Sequence, residues 1–230
     1  MADAPELENL MERYLAAQLA GDREEAVRLV LAEGLGRGFT APEVHLHVIG
    51  RAQREIGRLW QDNRITVAQE HLATAISQVA LTQVFAAFPR GSRKPWRILV
   101  ACVEGELHDM GARIAADFLD AAGYGVTLLG ANVATETLLR VVDDERPDVV
   151  ALTATMTFHL PALRDAVERL RSRFGTGLPL VVGGHAVAAS PDLDGYLGAR
   201  HAGGSARELV ELVDRLVGGR PDVSLQGSPG

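Results

Sequence analysis

The sequence predicts an α/β protein in two parts, an N-terminal four-helix bundle followed by a Rossmann-like, doubly wound parallel sheet. Three observations carry this. Apolar residues recur at helical spacing as far as about residue 88. Prolines, a glycine and basic residues then crowd into residues 89–96, PRGSRKPW. From Arg97 onward, short apolar runs alternate with helical stretches, the pattern of parallel strands joined by crossover helices.

The bundle, residues 1–88, divides into four helices. Leu10, Tyr14, Leu15 and Leu19 mark the first. A second starts after Gly21-Asp22 and runs to about Ala32. The third has Pro42 near its first position with Thr40 as cap, and carries Val44, His47, Val48 and Ile56 to about Trp60. The fourth runs from a Thr66 cap to Phe88. Residues 89–96 read as a linker, 97–217 as the Rossmann-like domain and 218–230, rich in Gly, Ser and Pro, as a disordered tail. Within the sheet domain the strands are expected at 98–103, 126–129, 149–152 and 180–182, with a weak one near 199–201. Helices are expected near 110–122, 135–144, 161–173 and 206–216.

Composition narrows the function classes. The chain has 230 residues, 47% apolar and 23% charged, and a net charge of −7, which gives no bulk attraction to nucleic acid. A single cysteine, Cys102, falls in a strand and reads as a small buried hydrophobe in a reducing, cytoplasmic setting. The acidic N-terminus is unlike a signal peptide, and no apolar run is long enough to span a bilayer. A nucleophile elbow, a phosphate loop and a persuasive carboxylate pair are all missing, so the chain reads as a binding or signalling protein rather than a complete enzyme.

Ligands of open α/β sheets bind beyond the carboxyl ends of the strands. Three loops there carry distinctive residues. The first strand is followed by Glu104-Gly105-Glu106-Leu107-His108-Asp109-Met110-Gly111. It offers a histidine, a carboxylate two residues earlier to hold the ring, and a glycine three residues later that lets the backbone pass close to a bulky ligand. The third strand is expected to end in Thr153-Ala154-Thr155, and alternate hydroxyls at a strand terminus can point the same way. The fourth ends in Gly183-Gly184, a flat stretch of backbone.

Together these loops resemble the cobalamin (vitamin B12)-binding fold family over about residues 97–217. Its motifs appear as Glu106-x-His108-x-x-Gly111, Thr153-x-Thr155 and Gly183-Gly184. The resemblance implies that His108 ligates cobalt in place of the cofactor's own nucleotide base. It also implies that Thr153, Thr155, Gly183 and Gly184 line the pocket for the displaced nucleotide tail. The motif acid is Glu rather than the commoner Asp, and Asp109 is an alternative partner for the ring. Trp60 is followed after nine residues by Glu70-His71. That spacing resembles the light-sensing core of the CarH/LitR-type adenosylcobalamin photoreceptors, in which the tryptophan packs over the upper axial group and the Glu-His pair lies near the adenosyl moiety. The alternative is that Trp60 is a core residue and Glu70-His71 a surface pair.

Two departures qualify that likeness. The DNA-binding domain of CarH-type regulators has no counterpart in this sequence, so direct DNA binding is not expected and output would pass to a protein partner. The histidine that follows the tryptophan in those members that form a bis-histidine adduct is Gln61 here. The resemblance thus implies a B12-dependent photoreceptor that holds adenosylcobalamin between bundle and Rossmann domain, with methylcobalamin and hydroxocobalamin as other forms and a homo-oligomer left open. The competing reading is a corrinoid methyl carrier of a methyltransferase system.

Overall fold

The computed structural model describes residues 4–190 and 198–218; the expected tail beyond Gly218 lies outside the described residues. The chain forms two compact units, residues 1–89 and 90–230.

In the first unit, α1 spans Ala4–Ala20. It turns at Gly21 into α2, Arg23–Arg28, whose N-cap Asp22 accepts from the Glu25 amide. The same segment then widens into a π-helical stretch, Leu29–Gly34, and closes with a 3-10 turn, Leu35–Arg37. The third segment opens with α3, Ala41–Glu43, under a Thr40–Glu43 capping box, passes through a second π-helical stretch, Val44–Ile49, and continues as α4, Gly50–Gln61. Thr66 and Gln69 form another capping box at the start of α5, Val67–Phe85. Sequence periodicity locates all four segments, but not their π-helical portions, because the i, i+3, i+4 spacing it counts assumes α-helical turns throughout. The core contains Tyr14, Leu29, Val30, Val44, Ile49, Ile56, Ile76 and Val84, all essentially inaccessible. Polar ties cross it: the Gln18 amide donates to Ser77 Oγ at 2.7 Å and to the Ala73 carbonyl at 3.0 Å.

In the second unit, residues 90–96 lead into β1 and are held against the turn that comes after the first helix. Gly91 donates its amide to Ala121, and Lys94 donates to Gly123. A Cβ on Gly123, whose φ is +96°, would sit 2.0 Å from the Ser92 carbonyl oxygen, so only glycine fits there. The strands are β1 (Arg97–Cys102), β2 (Gly125–Gly130), β3 (Val149–Thr153), β4 (Leu180–Gly183) and β5 (Arg200–His201). Interleaved with them are α6 (Met110–Ala121), α7 (Thr135–Glu145), α8 (Leu160–Phe174), α9 (His185–Ala188) and α10 (Ala206–Gly218).

The sheet is parallel, in the order β2-β1-β3-β4-β5. Both faces are covered, which is why the strands read as near-continuous apolar runs. Leu99, Ala101 and Val103 of β1 and its extension pack with Leu138 of α7 and Leu163 and Leu170 of α8. The alternate residues Ile98, Val100 and Cys102 pack with Leu119 of α6 and Leu209 and Val213 of α10. The strand order reverses between β1 and β3, and open α/β sheets place their ligands at such a switch point, beyond the carboxyl ends of the strands. Among the described residues, no helix is long and apolar enough to cross a membrane.

Candidate functional site

Register brings the three loops to one level. Cys102 pairs with Thr153, and Thr153 with Gly183, so β1, β3 and β4 end side by side at the switch point. Glu106 is the hub of the hydrogen bonds at that level, with its side chain fully buried. Its Oε1 accepts from the His108 amide at 2.9 Å and contacts His108 Nδ1 at 2.5 Å. Its Oε2 accepts from the amides of Thr155, at 2.7 Å, and Met156, at 3.0 Å, and lies 3.0 Å from His159 Nδ1. Burial alone would push this carboxyl's pKa up. The hydrogen bonds from the His108 side chain and amide, from His159 and from the Met156 amide outweigh it and hold the pKa well below the usual carboxylate range.

This arrangement sets the state of His108. A carboxylate on Nδ1 favours the proton there, which makes Nε2 the nitrogen suited to bind a metal. The His108 side chain is 41% exposed while the carboxylate that holds Nδ1 is fully buried. Asp109, the alternative partner, instead takes Arg113, whose Nε donates to Oδ2 at 2.8 Å. Among the described residues no three His, Cys, Asp or Glu side chains cluster to cage a metal ion. What the loop offers is one imidazole nitrogen, a donor set that suits a metal arriving with its other ligands attached.

The remaining loop residues divide in role. Thr155 contributes its backbone amide to Glu106, and Thr153 Oγ1 lies against Gly184. A Cβ on Gly184 would come within 2.3 Å of the Ala154 carbonyl oxygen and 2.6 Å of Thr153 Oγ1, and its φ is +98°. Close packing of the chain on itself therefore accounts for this glycine. Gly183 is tight in the same way, 3.2 Å from Ala202 Cβ. Gly111 differs: nothing lies within 4 Å of where its Cβ would be, at the start of α6 beside the histidine loop.

Sequence reasoning placed His159 close to the pocket loops without its partner, and missed Asn132. His159, beyond the third strand, shares Glu106, which no local spacing reveals across 53 residues. Asn132 has a φ of +51°, a conformation asparagine tolerates better than most residues, and its Oδ1 accepts from the Gly105 amide at 2.8 Å, bracing the histidine loop.

In the helical unit, Trp60 closes α4 and flanks a concavity lined by Asn63, Arg64, Ile65, Thr66, Val67 and Gln69. The Glu70 side chain is 15% exposed and that of His71 74%; His71 Nδ1 lies 2.6 Å from Glu70 Oε2. Glu70 Oε1 also accepts from Thr74 Oγ1 at 2.8 Å. Glu70 and His71 therefore form a hydrogen-bonded pair with different exposures: the acid is sheltered, the imidazole open.

Residues 96–213, half of the chain, match a family profile described as a B12 binding domain, and residues 10–84 match a second profile of the same description. The chain belongs to the B12-binding family. Its relatives include the HTH-type transcriptional repressor CarH of Myxococcus xanthus, 35% identical over 79% of this chain and 60% of that protein. The chain thus spans less than two thirds of that relative's length. The repressor CarA of the same organism is 31% identical over 93% of this chain and 71% of CarA. The fold also matches the monomethylamine corrinoid protein of Methanosarcina barkeri, with a TM-score of 0.79 at 17% identity, covering 90% of this chain and 98% of that one.

Cobalamin is supported as the cofactor of this B12-binding chain, and the site's chemistry fits it. His108 would hold cobalt through Nε2, and Glu106 would hold His108. The space beside Gly111 leaves room for a broad ligand near the histidine.

Proposed function

We propose that this chain is a B12-dependent light-sensing regulatory protein of the cytoplasm. In this reading it binds adenosylcobalamin with His108 as the lower cobalt ligand and passes its change of state to a protein partner. Thr153, Thr155, Gly183 and Gly184 would line the crevice for the nucleotide tail. Trp60, Glu70 and His71 would serve the upper group. When bound, the cofactor supplies a cobalt–carbon bond that visible light breaks. The protein's part is to orient the cobalt through the Glu106-held imidazole and to shelter the upper group with an indole and a hydrogen-bonded carboxylate.

The observation that carries this reading is the Trp60-x9-Glu70-His71 spacing with Glu70 sheltered in a hydrogen-bond chain, together with likeness to CarH and CarA. A second reading, a corrinoid methyl carrier, draws on the fold shared with the monomethylamine corrinoid protein.

One measurement separates the two. The full chain is loaded in the dark with adenosylcobalamin or with methylcobalamin, and its visible spectrum and size-exclusion profile are recorded before and after green light. Tight dark binding of adenosylcobalamin, with a spectral change and altered elution on illumination, is expected. A clear preference for methylcobalamin, with unchanged elution after light, would replace the first reading with the second.

A further inference from the structure

Residues 89–96 have the composition of a linker, yet most of them are tied down. On the helical side, the Ala87 and Phe88 amides donate to the Val84 and Phe85 carbonyls, and the Phe88 ring is buried edge-on to His45. On the sheet side, the Gly91 amide donates to the Ala121 carbonyl at 2.7 Å and the Lys94 amide to the Gly123 carbonyl at 2.8 Å. The Trp96 carbonyl accepts from the Gly125 amide at 3.0 Å. Between these anchored ends stand Pro89, whose ring fixes φ, and Arg90, whose guanidinium donates to Asp120 at 2.5 Å.

The strap formed by residues 91–96 lies close on its seat, and glycines permit this from both sides. Gly123 of the seat has no room for a Cβ beneath the Ser92 carbonyl, and a Cβ on Gly91 of the strap would come within 3.1 Å of the Ala122 carbonyl oxygen.

One side chain fastens the strap to the last helix. Lys94 Nζ donates to Asp214 Oδ1 of α10 at 2.6 Å and stands 4.1 Å from the centre of the Tyr124 ring. Tyr124 is fully buried and donates its hydroxyl to the same Asp214 oxygen. Lys94 is the one lysine in the sequence, against twenty-two arginines. A compact ammonium can lie over a ring and point at a single oxygen, whereas a forked guanidinium is shaped to take two. The side chains of Lys94 and Asp214 are 31% and 50% exposed, so solvent screens the pair and its grip is modest. Such a fastening closes the strap without making it permanent.

We propose that Lys94 is the catch of a releasable strap. Closed, it leaves only Pro89 and Arg90 as slack between α5 and β1, a reach of roughly 7 Å; open, it frees residues 89–96, a reach of roughly 26 Å. Neutralising either Lys94 or Asp214 opens the catch. The chain thereby has two arrangements that differ in the length of tether joining its units, the kind of two-state element a ligand or modification can bias. The catch does not depend on the light-sensing reading or on a bound cofactor.

The test follows trypsin cleavage after Arg93 in the full-length chain, by mass of the fragments. Cleavage of a folded protein at such a site reports how often the segment opens, and the Lys94-Pro95 bond itself resists trypsin. Wild type is compared with Lys94→Met, with Asp214→Asn, and with wild type acetylated to completion by sulfosuccinimidyl acetate, which reaches one lysine and the terminal amine. Each of the three is expected to be cut after Arg93 about fivefold faster than wild type, the scale of one exposed ion pair with its ring contact. Acetylation of Asp214→Asn is expected to add nothing, because its catch is already open. A cooperative thermal melt shows that each protein is folded. If Asp214→Asn is also cut faster after Arg207 and Arg215, α10 itself has loosened, and Lys94→Met gives the decision. Equal rates in wild type, Lys94→Met and the acetylated chain overturn the catch. So does a wild type cut as fast as a synthetic peptide of residues 86–98.

Discussion

Glu106 is a buried charge surrounded by donors, and its consequences come from counting them. Two backbone amides, those of Thr155 and Met156, donate to Oε2, and the His108 amide donates to Oε1. Glu106→Gln would replace one of these oxygens with an NH2 group, setting donor against donor in a site with no water access. We expect a loss of about 2–4 kcal/mol in urea unfolding, together with a weakened histidine-ligated spectrum of the cobalamin-loaded protein. His108→Ala removes only the ring and leaves the three amide bonds, so stability is expected to stay within about 1 kcal/mol of wild type while binding weakens or the cofactor keeps its own base on cobalt. Unchanged affinity and spectrum in His108→Ala would remove the ligand assignment. The motif that holds His108 was legible in the sequence because Glu106 and His108 are two residues apart. His159 was not legible as a third member, because it reaches Glu106 only once β1 and β3 have paired.

At the scale of elements, the π-helical stretch Val44–Ile49 places His45 wholly inside the helical unit, edge-on to Phe88 at 5.0 Å between ring centroids. Burial lowers its pKa to about 4. In the unfolded chain the imidazole titrates near 6.5. Between these values the unfolded state binds a proton that the folded state refuses, so stability is full above about pH 6.5 and falls as pH drops towards 4. The shift corresponds to roughly 3 kcal/mol. Urea unfolding at pH 7.5 and 4.5 should show that decline in the wild type, and His45→Leu should flatten it. An identical slope in both would mean that His45 is not the group responsible. The sequence marked this helix but not the burial of His45, since the apolar stripe it counted was the α-helical one containing His47. The capping residues Thr40 and Thr66 were legible, because a cap is a local signal.

For the whole molecule, the two units carry separate cores. The sheet of the second is closed on both faces by its own helices, α7 and α8 on one side and α6 and α10 on the other. Residues 90–218 are therefore expected to fold alone and to bind hydroxocobalamin with His108 on cobalt, read by absorbance and by a cooperative thermal melt. They are also expected to lose any preference between adenosyl and methyl forms, since Trp60, Glu70 and His71 are absent. A fragment that melts without cooperativity would show that the sheet unit depends on the helical one. The segment 90–96 belongs in that fragment because Gly91 and Lys94 are hydrogen-bonded to the α6–β2 turn.

The sequence by itself determined the α/β class, the division into helical and sheet parts, and the residues of the three loops. These are properties of periodicity, local turn chemistry and short-range motifs, which depend on neighbours along the chain. Tertiary structure decided which partner each residue has: Glu106 rather than Asp109 for His108, the Thr155 amide as a donor to Glu106, Gly184 fixed by the Ala154 backbone, and Thr74 as the partner of Gln53. Such pairings join residues far apart in the chain. They are set by strand register and helix packing, which no local pattern records.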